Sequence, residues 1–165
     1  MTDSLLTNPA HASYTTSGFS GRIGWGSRPA LLLIDVCTAY FTPSSPLSIL
    51  SNPAGAASPN VMRNLLAAAR AGGVPVLWTQ VKYDDMREAG LFYAKAKSLD
   101  VWKVGDERGL AEWVEGLVPG EGEAVVAKRY PSAFFGTCLG TDLRVSTIPA
   151  GLGGLGDGPG RDCGC

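Results

Sequence analysis

The sequence predicts an α/β fold built around a parallel sheet. Three observations carry this. The stretch Pro29–Asp35, Pro-Ala-Leu-Leu-Leu-Ile-Asp, is an apolar run that ends in a carboxylate. Two further apolar runs of strand length follow, Val74–Val81 and Glu123–Lys128. Stretches with helical spacing of apolar residues separate and follow them. Such β-α-β-α-β-α alternation argues for parallel strands joined by right-handed crossovers.

Residues 1–28 are mostly polar, with scattered Gly, Ser and Thr, and read as an N-terminal arm with little regular structure. Residues 30–35 form the first strand. The run lacks a 3.6-residue period and reads as a central strand buried on both faces. Asp35 then stands at the carboxyl end of that strand, the edge where open α/β sheets bind ligands. A carboxylate there either works with a partner or caps the following turn. Residues 36–57, with Pro43, Pro46 and Pro53, read as a long loop above the sheet edge. Its Tyr40 and Phe41 are loop anchors or pocket walls.

Ser58-Pro59 is expected to open a helix, with Ser as N-cap and Pro at the first helical position. Val61, Leu65, Leu66 and Ala69 form its apolar stripe, and Gly72-Gly73 ends it. Val74–Val81 is the second strand, with Pro75 near its start, where a missing N–H matters least. Residues 82–103 form a second long connection carrying Tyr83, Phe92, Tyr93 and Trp102. Its aromatics line a pocket or lid, or pin the loop to the body. Residues 106–118 are expected to be a second helix, capped by Asp106, with Leu110, Trp113, Val114 and Leu117 facing inward. Glu123–Lys128 is the third strand, ending in a cation. Thr137 is placed to cap a helix containing Leu139 and Leu143. From Val145 onward glycine dominates, and an irregular tail is expected. Trp78 and Trp113 are assigned to the core.

A length of 165 residues suits one domain, and 45% hydrophobic content is enough for a packed core. The net charge of −1, without a basic cluster, points away from nucleic acid and anionic membranes. The longest apolar runs fall short of the roughly 20 residues of a spanning helix. The N-terminus lacks a cationic segment before an apolar one. A soluble, cytoplasmic protein is expected. The four cysteines, Cys37, Cys138, Cys163 and Cys165, form no CxxC pair, and His11 is the single histidine. This excludes the usual zinc patterns and leaves no His in a recognisable element to activate a nucleophile.

Two opposite charges converge instead. Asp35 ends the first strand and Lys128 ends the third. In a parallel sheet both lie at one edge. They form a structural ion pair or half of an acid–base apparatus. A lysine beside a thiol lowers the thiol's pKa, and an aspartate can accept the released proton.

Several blocks around these residues resemble the isochorismatase-like cysteine hydrolases, a group that includes nicotinamidases and N-carbamoylsarcosine amidases. They are Ala30–Asp35, Tyr40-Phe-Thr-Pro-Ser-Ser-Pro-Leu47, Pro75-Val-Leu-Trp-Thr79, Gly90-Leu-Phe-Tyr93 and Lys128-Arg-Tyr-Pro-Ser-Ala-Phe-Phe-Gly-Thr137. The last two look most like the N-carbamoylsarcosine amidase branch. The resemblance implies a three-layer α/β/α sandwich with a parallel sheet, Rossmann-like and isochorismatase-type, and a small-molecule amide or carbamoyl substrate. It implies a Cys-Asp-Lys triad that cleaves a non-peptide C–N bond, with Asp35 as proton acceptor and Lys128 as its electrostatic partner. Tyr40, Phe41, Tyr83 and Phe134 are assigned to substrate binding, and a homo-oligomer is expected. No cofactor is implied. No metal is expected either, because Val81-Lys-Tyr-Asp-Asp-Met86 lacks the His of the family's metal-holding nicotinamidases.

In the family the nucleophile follows a fourth strand, in a turn of the Thr-Ser-Gly-Cys-Val type. This chain has no such turn. Its nearest analogue is Cys163, in Arg161-Asp-Cys-Gly-Cys165. The expected organisation is therefore an arm (1–28), a partial, C-terminally truncated hydrolase domain (29–144) and a Gly-rich tail (145–165). A codon shift of one base is compatible with Val-Val-Leu-Val-Thr-Gly in place of residues 153–158, which the nucleotide sequence tests. Truncation is expected to leave a sheet edge and apolar helix faces uncovered. The alternative to a hydrolase is an inactive relative that serves as a binding or regulatory α/β domain.

Overall fold

The computed structural model describes residues 26–146, with residues 13, 15–19, 21, 22 and 24 of the arm. Three strands form one parallel sheet: β1 (Leu31–Ile34), β2 (Val76–Val81) and β3 (Ala124–Lys128), in the order β1-β2-β3. Leu31 pairs with Val76 and Ile34 with Thr79; Leu77 pairs with Ala124 and Val81 with Lys128. Within residues 26–146 the α-helices are α1 (Pro53–Ala71), α2 (Gly90–Lys95) and α3 (Leu139–Ser146). Among the described residues no helix is long and apolar enough to cross a membrane.

Among the three described strands β1 is not the central one. β2 holds the middle, and five of its six residues are buried. β1 lies at the edge of the described sheet, and its Ile34 is 59% exposed. An all-apolar run reports burial on two faces in either position. It does not report which strand has neighbours on both sides.

Alternation along β2 divides the core into two layers. Trp78 and Val76 pack with Leu33, with Leu66 and Ala69 of α1, and with Val114 and Leu117. Leu77 faces the other way, with Val126 and with Leu139 and Leu143 of α3. So α1 and α3 lie on opposite faces, as a three-layer sandwich requires. A third apolar cluster joins Cys37, Ala39, Tyr83, Val101 and Trp102 above the carboxyl ends of the strands.

The structure corrects three elements. First, α1 starts at Pro53, not Pro59. Asn52 is the cap, its side chain accepting from Ala54 N and Gly55 N. Pro59 lies inside the helix and cannot donate to the carbonyl four residues back. Ser58 Oγ donates to that carbonyl, Gly55 O, at 2.7 Å. Ser58 therefore mends the ladder rather than starting it. The buried stripe is Met62, Leu66 and Ala69, whereas Val61 and Leu65 are 55% and 48% exposed.

Second, residues 106–118 are not a helix. Gly109 and Gly116 have φ of 64° and 72°, outside the helical region. The backbone is captured from elsewhere: Thr38 N donates to Glu112 O and Ala39 N to Leu110 O. Arg63 Nη2 holds Glu115 O at 2.8 Å. The inward residues were read correctly, since Leu110, Val114 and Leu117 are buried and Trp113 meets Trp78 edge-on at 5.4 Å. Only their helical spacing misled.

Third, α3 runs to Ser146 and so takes in the first two residues of the expected tail. Thr137 Oγ1 accepts from Leu139 N at its beginning. His11, Cys163 and Cys165 lie outside the described residues.

Candidate active site

Asp35 leaves β1 with φ of 53°, the only non-glycine residue in the left-handed region among those described. This conformation costs free energy in a residue with a β-carbon, and Asp tolerates it better than most. The turn is held from β2. Asp35 N donates to Thr79 O at 3.1 Å and lies 3.2 Å from Thr79 Oγ1.

The turn delivers the carboxylate to Lys128. Lys128 Nζ stands 2.7 Å from Asp35 Oδ2, and its side chain is 2% exposed against 15% for Asp35. Nζ also donates to Pro131 O at 2.8 Å, so the turn after β3 grips the cation. Thr79 Oγ1 donates to Asp35 Oδ1 at 2.7 Å. Burying an ammonium this deeply is strongly unfavourable without such partners. Two of the three Nζ donors are used among the described residues, and one remains.

Strand register explains how two ends that are not neighbours meet. Lys128, Val126 and Ala124 share the α3 face of the sheet, as do Thr79 and Leu77. Thr79 therefore sits on the middle strand between the two charges. Ile34, on the same face, is the exposed residue beside them.

The other candidates are distributed differently. Tyr83 is buried, and its hydroxyl donates to Arg129 O at 3.1 Å. Burial, followed by the nearby Asp35 charge, pushes its pKa up. Tyr40 is half-buried on the Cys37–Trp102 cluster, its ring 6.2 Å from Trp102. Burial, then Cys37 and Asp35, push its pKa up to about 12. Phe41 packs on the α1 side of the core. Phe134 is 65% exposed on the turn after Lys128. None of these four lines the shallow crease beside Asp35, which is walled by Cys37, Thr79, Gln80, Val81, Trp102 and Trp113 and has no room for a water molecule.

Cys37 is the described thiol nearest in sequence to Asp35. It is buried, and Trp102 Nε1 donates to its Sγ at 3.4 Å. Burial pushes its pKa up, which keeps it a thiol rather than a nucleophile. Sequence reasoning missed two parts of the site, Thr79 and the Pro131 carbonyl. A signal for Thr79 was present: a hydroxyl in an otherwise apolar strand, near its carboxyl end.

The model of the isochorismatase domain matches residues 29–148. The chain belongs to the isochorismatase family. It is 38% identical over 129 residues to maleamate amidohydrolase of Pseudomonas putida, covering 77% of this chain and 58% of that protein. It is 34% identical over 149 residues to N-carbamoylsarcosine amidase of Arthrobacter, covering 82% and 52%. The crystal structure of a cysteine hydrolase from Pseudomonas syringae superposes with a TM-score of 0.60 at 26% identity, over 72% of this chain and 55% of that one. This isochorismatase-family chain thus spans about half the length of the relatives it matches. The sheet with helices on both faces is the fold these relatives share.

Proposed function

We propose that this chain carries the proton-handling half, Asp35 and Lys128, of a cysteine amidohydrolase that cleaves a small-molecule amide or carbamoyl C–N bond. The observation that carries the reading is the 2.7 Å contact between a buried lysine and a left-handed aspartate at the carboxyl edge of the sheet. Family membership and two amidohydrolase relatives supply the reaction class.

The chemistry follows from the charges. The thiol of a cysteine placed alongside the Asp35–Lys128 pair gives its proton to Asp35, and the ammonium favours the thiolate. The thiolate attacks the carbonyl carbon. When the tetrahedral adduct collapses, the C–N bond breaks and the leaving nitrogen takes the proton from Asp35. Water then gives a proton to Asp35 and attacks the thioester, which frees the acid and restores the thiol. No histidine is needed.

The topology supports a location for that cysteine. Because α3 lies opposite α1, a right-handed crossover through α3 would bring a strand that followed it back past β2 to the open edge of β1. Its carboxyl end would then adjoin Asp35, at the point where the strand order reverses. Cys163 is the sequence's candidate for this position. Tyr40, Phe41 and Phe134 remain candidates for the substrate's walls and Tyr83 for their support. A second subunit completes the pocket in this reading.

The test is ammonia release by the full chain from maleamate, N-carbamoylsarcosine and nicotinamide. Turnover of one of them, abolished by Asp35→Asn and by Lys128→Ala, is expected. Iodoacetamide should label one thiol quickly at neutral pH. A second reading, a binding domain without turnover, is favoured by the burial of Cys37 behind Trp102, which leaves no exposed thiol beside Asp35 among the described residues. Ligand binding by calorimetry, with only slow thiols and no ammonia, would replace the first reading with the second.

A further inference from the structure

We infer that Thr79 is the positioning residue of this site: its hydroxyl sets both the backbone and the carboxylate plane of Asp35, and so decides which oxygen meets Lys128. Thr79 is fully buried on the middle strand, where a hydroxyl must find partners. It finds both in one residue. Oγ1 donates to Asp35 Oδ1 at 2.7 Å and lies 3.2 Å from the Asp35 amide nitrogen, in position to accept. The carbonyl of Thr79 accepts from the same amide at 3.1 Å.

This reciprocal clasp does three things. It holds Asp35 in its left-handed turn, at φ of 53°. It occupies Oδ1, which leaves Oδ2 for Lys128 at 2.7 Å. It also stops rotation of the carboxylate about its last bond, a torsion that is otherwise soft. Lys128 alone cannot do this, because an ammonium is a point charge that follows whichever oxygen is near. The hydroxyl at Oδ1 and the ammonium at Oδ2 together fix the carboxylate plane, whereas the ion pair by itself defines only a distance.

The catalytic half of the inference rests on the amidohydrolase reading; the geometric half does not. The test compares crystal structures and kinetics of Thr79→Val and Thr79→Ser in the full chain. Valine keeps the shape and removes the hydroxyl; serine keeps the hydroxyl and removes the methyl. In Thr79→Val the Asp35 carboxylate is expected to turn, and its separation from Nζ to exceed about 4 Å, the usual limit of an ion pair. In Thr79→Ser both contacts stay. For a substrate that is turned over, Thr79→Val should lower kcat by about 100-fold at nearly constant KM, as a misplacement near 1 Å does. Thr79→Ser should restore most of it. Should the valine variant not fold, Thr79→Ala carries the same expectations. Retention of the Asp35 orientation and the Lys128 contact without the hydroxyl would overturn the inference, as would equal loss in the serine variant. If the parent chain shows no turnover, the amidohydrolase reading fails, while the two crystal structures still decide the role of Thr79.

Discussion

At the amino edge of the sheet, Arg70 grips Glu123; at the carboxyl edge, Lys128 grips Asp35. Both contacts are 2.7 Å long, but their surroundings differ. Glu123 accepts from Arg70 Nε and Nη2, from Trp78 Nε1 at 2.7 Å and from Gly120 N at 2.9 Å. Arg70 also reaches Val118 O. The clasp ties the end of α1 to the start of β3 in ordinary backbone conformations. Among the described residues Asp35 has two side-chain donors, a strained backbone and a partner with an N–H to spare. The first pair is saturated, and its carboxylate has little left to offer chemistry. The second keeps lone pairs and a donor beside an exposed Ile34. Capacity left over, at the edge where α/β sheets bind ligands, separates a working pair from a fastening.

The contrast can be broken most forcefully at Lys128. Lys128→Met leaves Asp35 charged and almost buried, and should cost about 3–5 kcal/mol in urea unfolding. Adding Asp35→Asn should recover a large part of this, because two neutral groups no longer need each other. A loss below 1 kcal/mol in the single variant would mean the pair is far wetter than its burial indicates.

Glu123→Gln comes next, with an expected loss of about 1.5–3 kcal/mol from charge-assisted hydrogen bonds. It also has a pH signature. The Arg70 hydrogen bonds, with Gly120 N and Trp78, hold the Glu123 carboxyl down at about 2, against an ordinary 4.5. A carboxyl lowered by folding stabilises the fold fully above its unfolded pKa, and this contribution fades as pH falls through the folded value. Stability of the parent should therefore fall between about pH 4.5 and pH 2, and Glu123→Gln should flatten that slope. An unchanged slope would remove Glu123 as its source.

The smallest expected effect is at Arg70, whose side chain is 41% exposed. Arg70→Lys loses the two-pronged contact and should cost about 0.5–1 kcal/mol. Raising salt should shrink that difference, while the loss in Lys128→Met stays nearly constant, since screening acts on exposed charges. Equal salt dependence at both edges would erase the distinction drawn between them.

Much of the site was legible because parallel sheets put all carboxyl ends on one side. Asp35 and Lys128 were found as the residues that end two apolar runs, and 2.7 Å separates them. Thr79 was not singled out, because its task depends on lateral neighbours: the register Ile34–Thr79 sets it beside the turn after β1. Residues 106–118 show the opposite failure. Leu110, Trp113, Val114 and Leu117 repeat with helical spacing, but the amides of Thr38 and Ala39 claim the carbonyls of Leu110 and Glu112. Local periodicity lost to pairing across some seventy residues of chain, a competition that no window of sequence contains.

By itself the sequence determined the three strands, the parallel sheet and the charges at its carboxyl edge. Apolar runs and their last residues are local facts, and burial requires them wherever the strand lies. Only the tertiary structure decided that β2 is the middle one of the three described strands, that α1 and α3 take opposite faces, and that Asp35 is held in a left-handed turn by Thr79. Those outcomes depend on which strand lies beside which and on which donor reaches an acceptor first. Both are settled by packing and hydrogen bonding between distant segments, when the chain closes on itself.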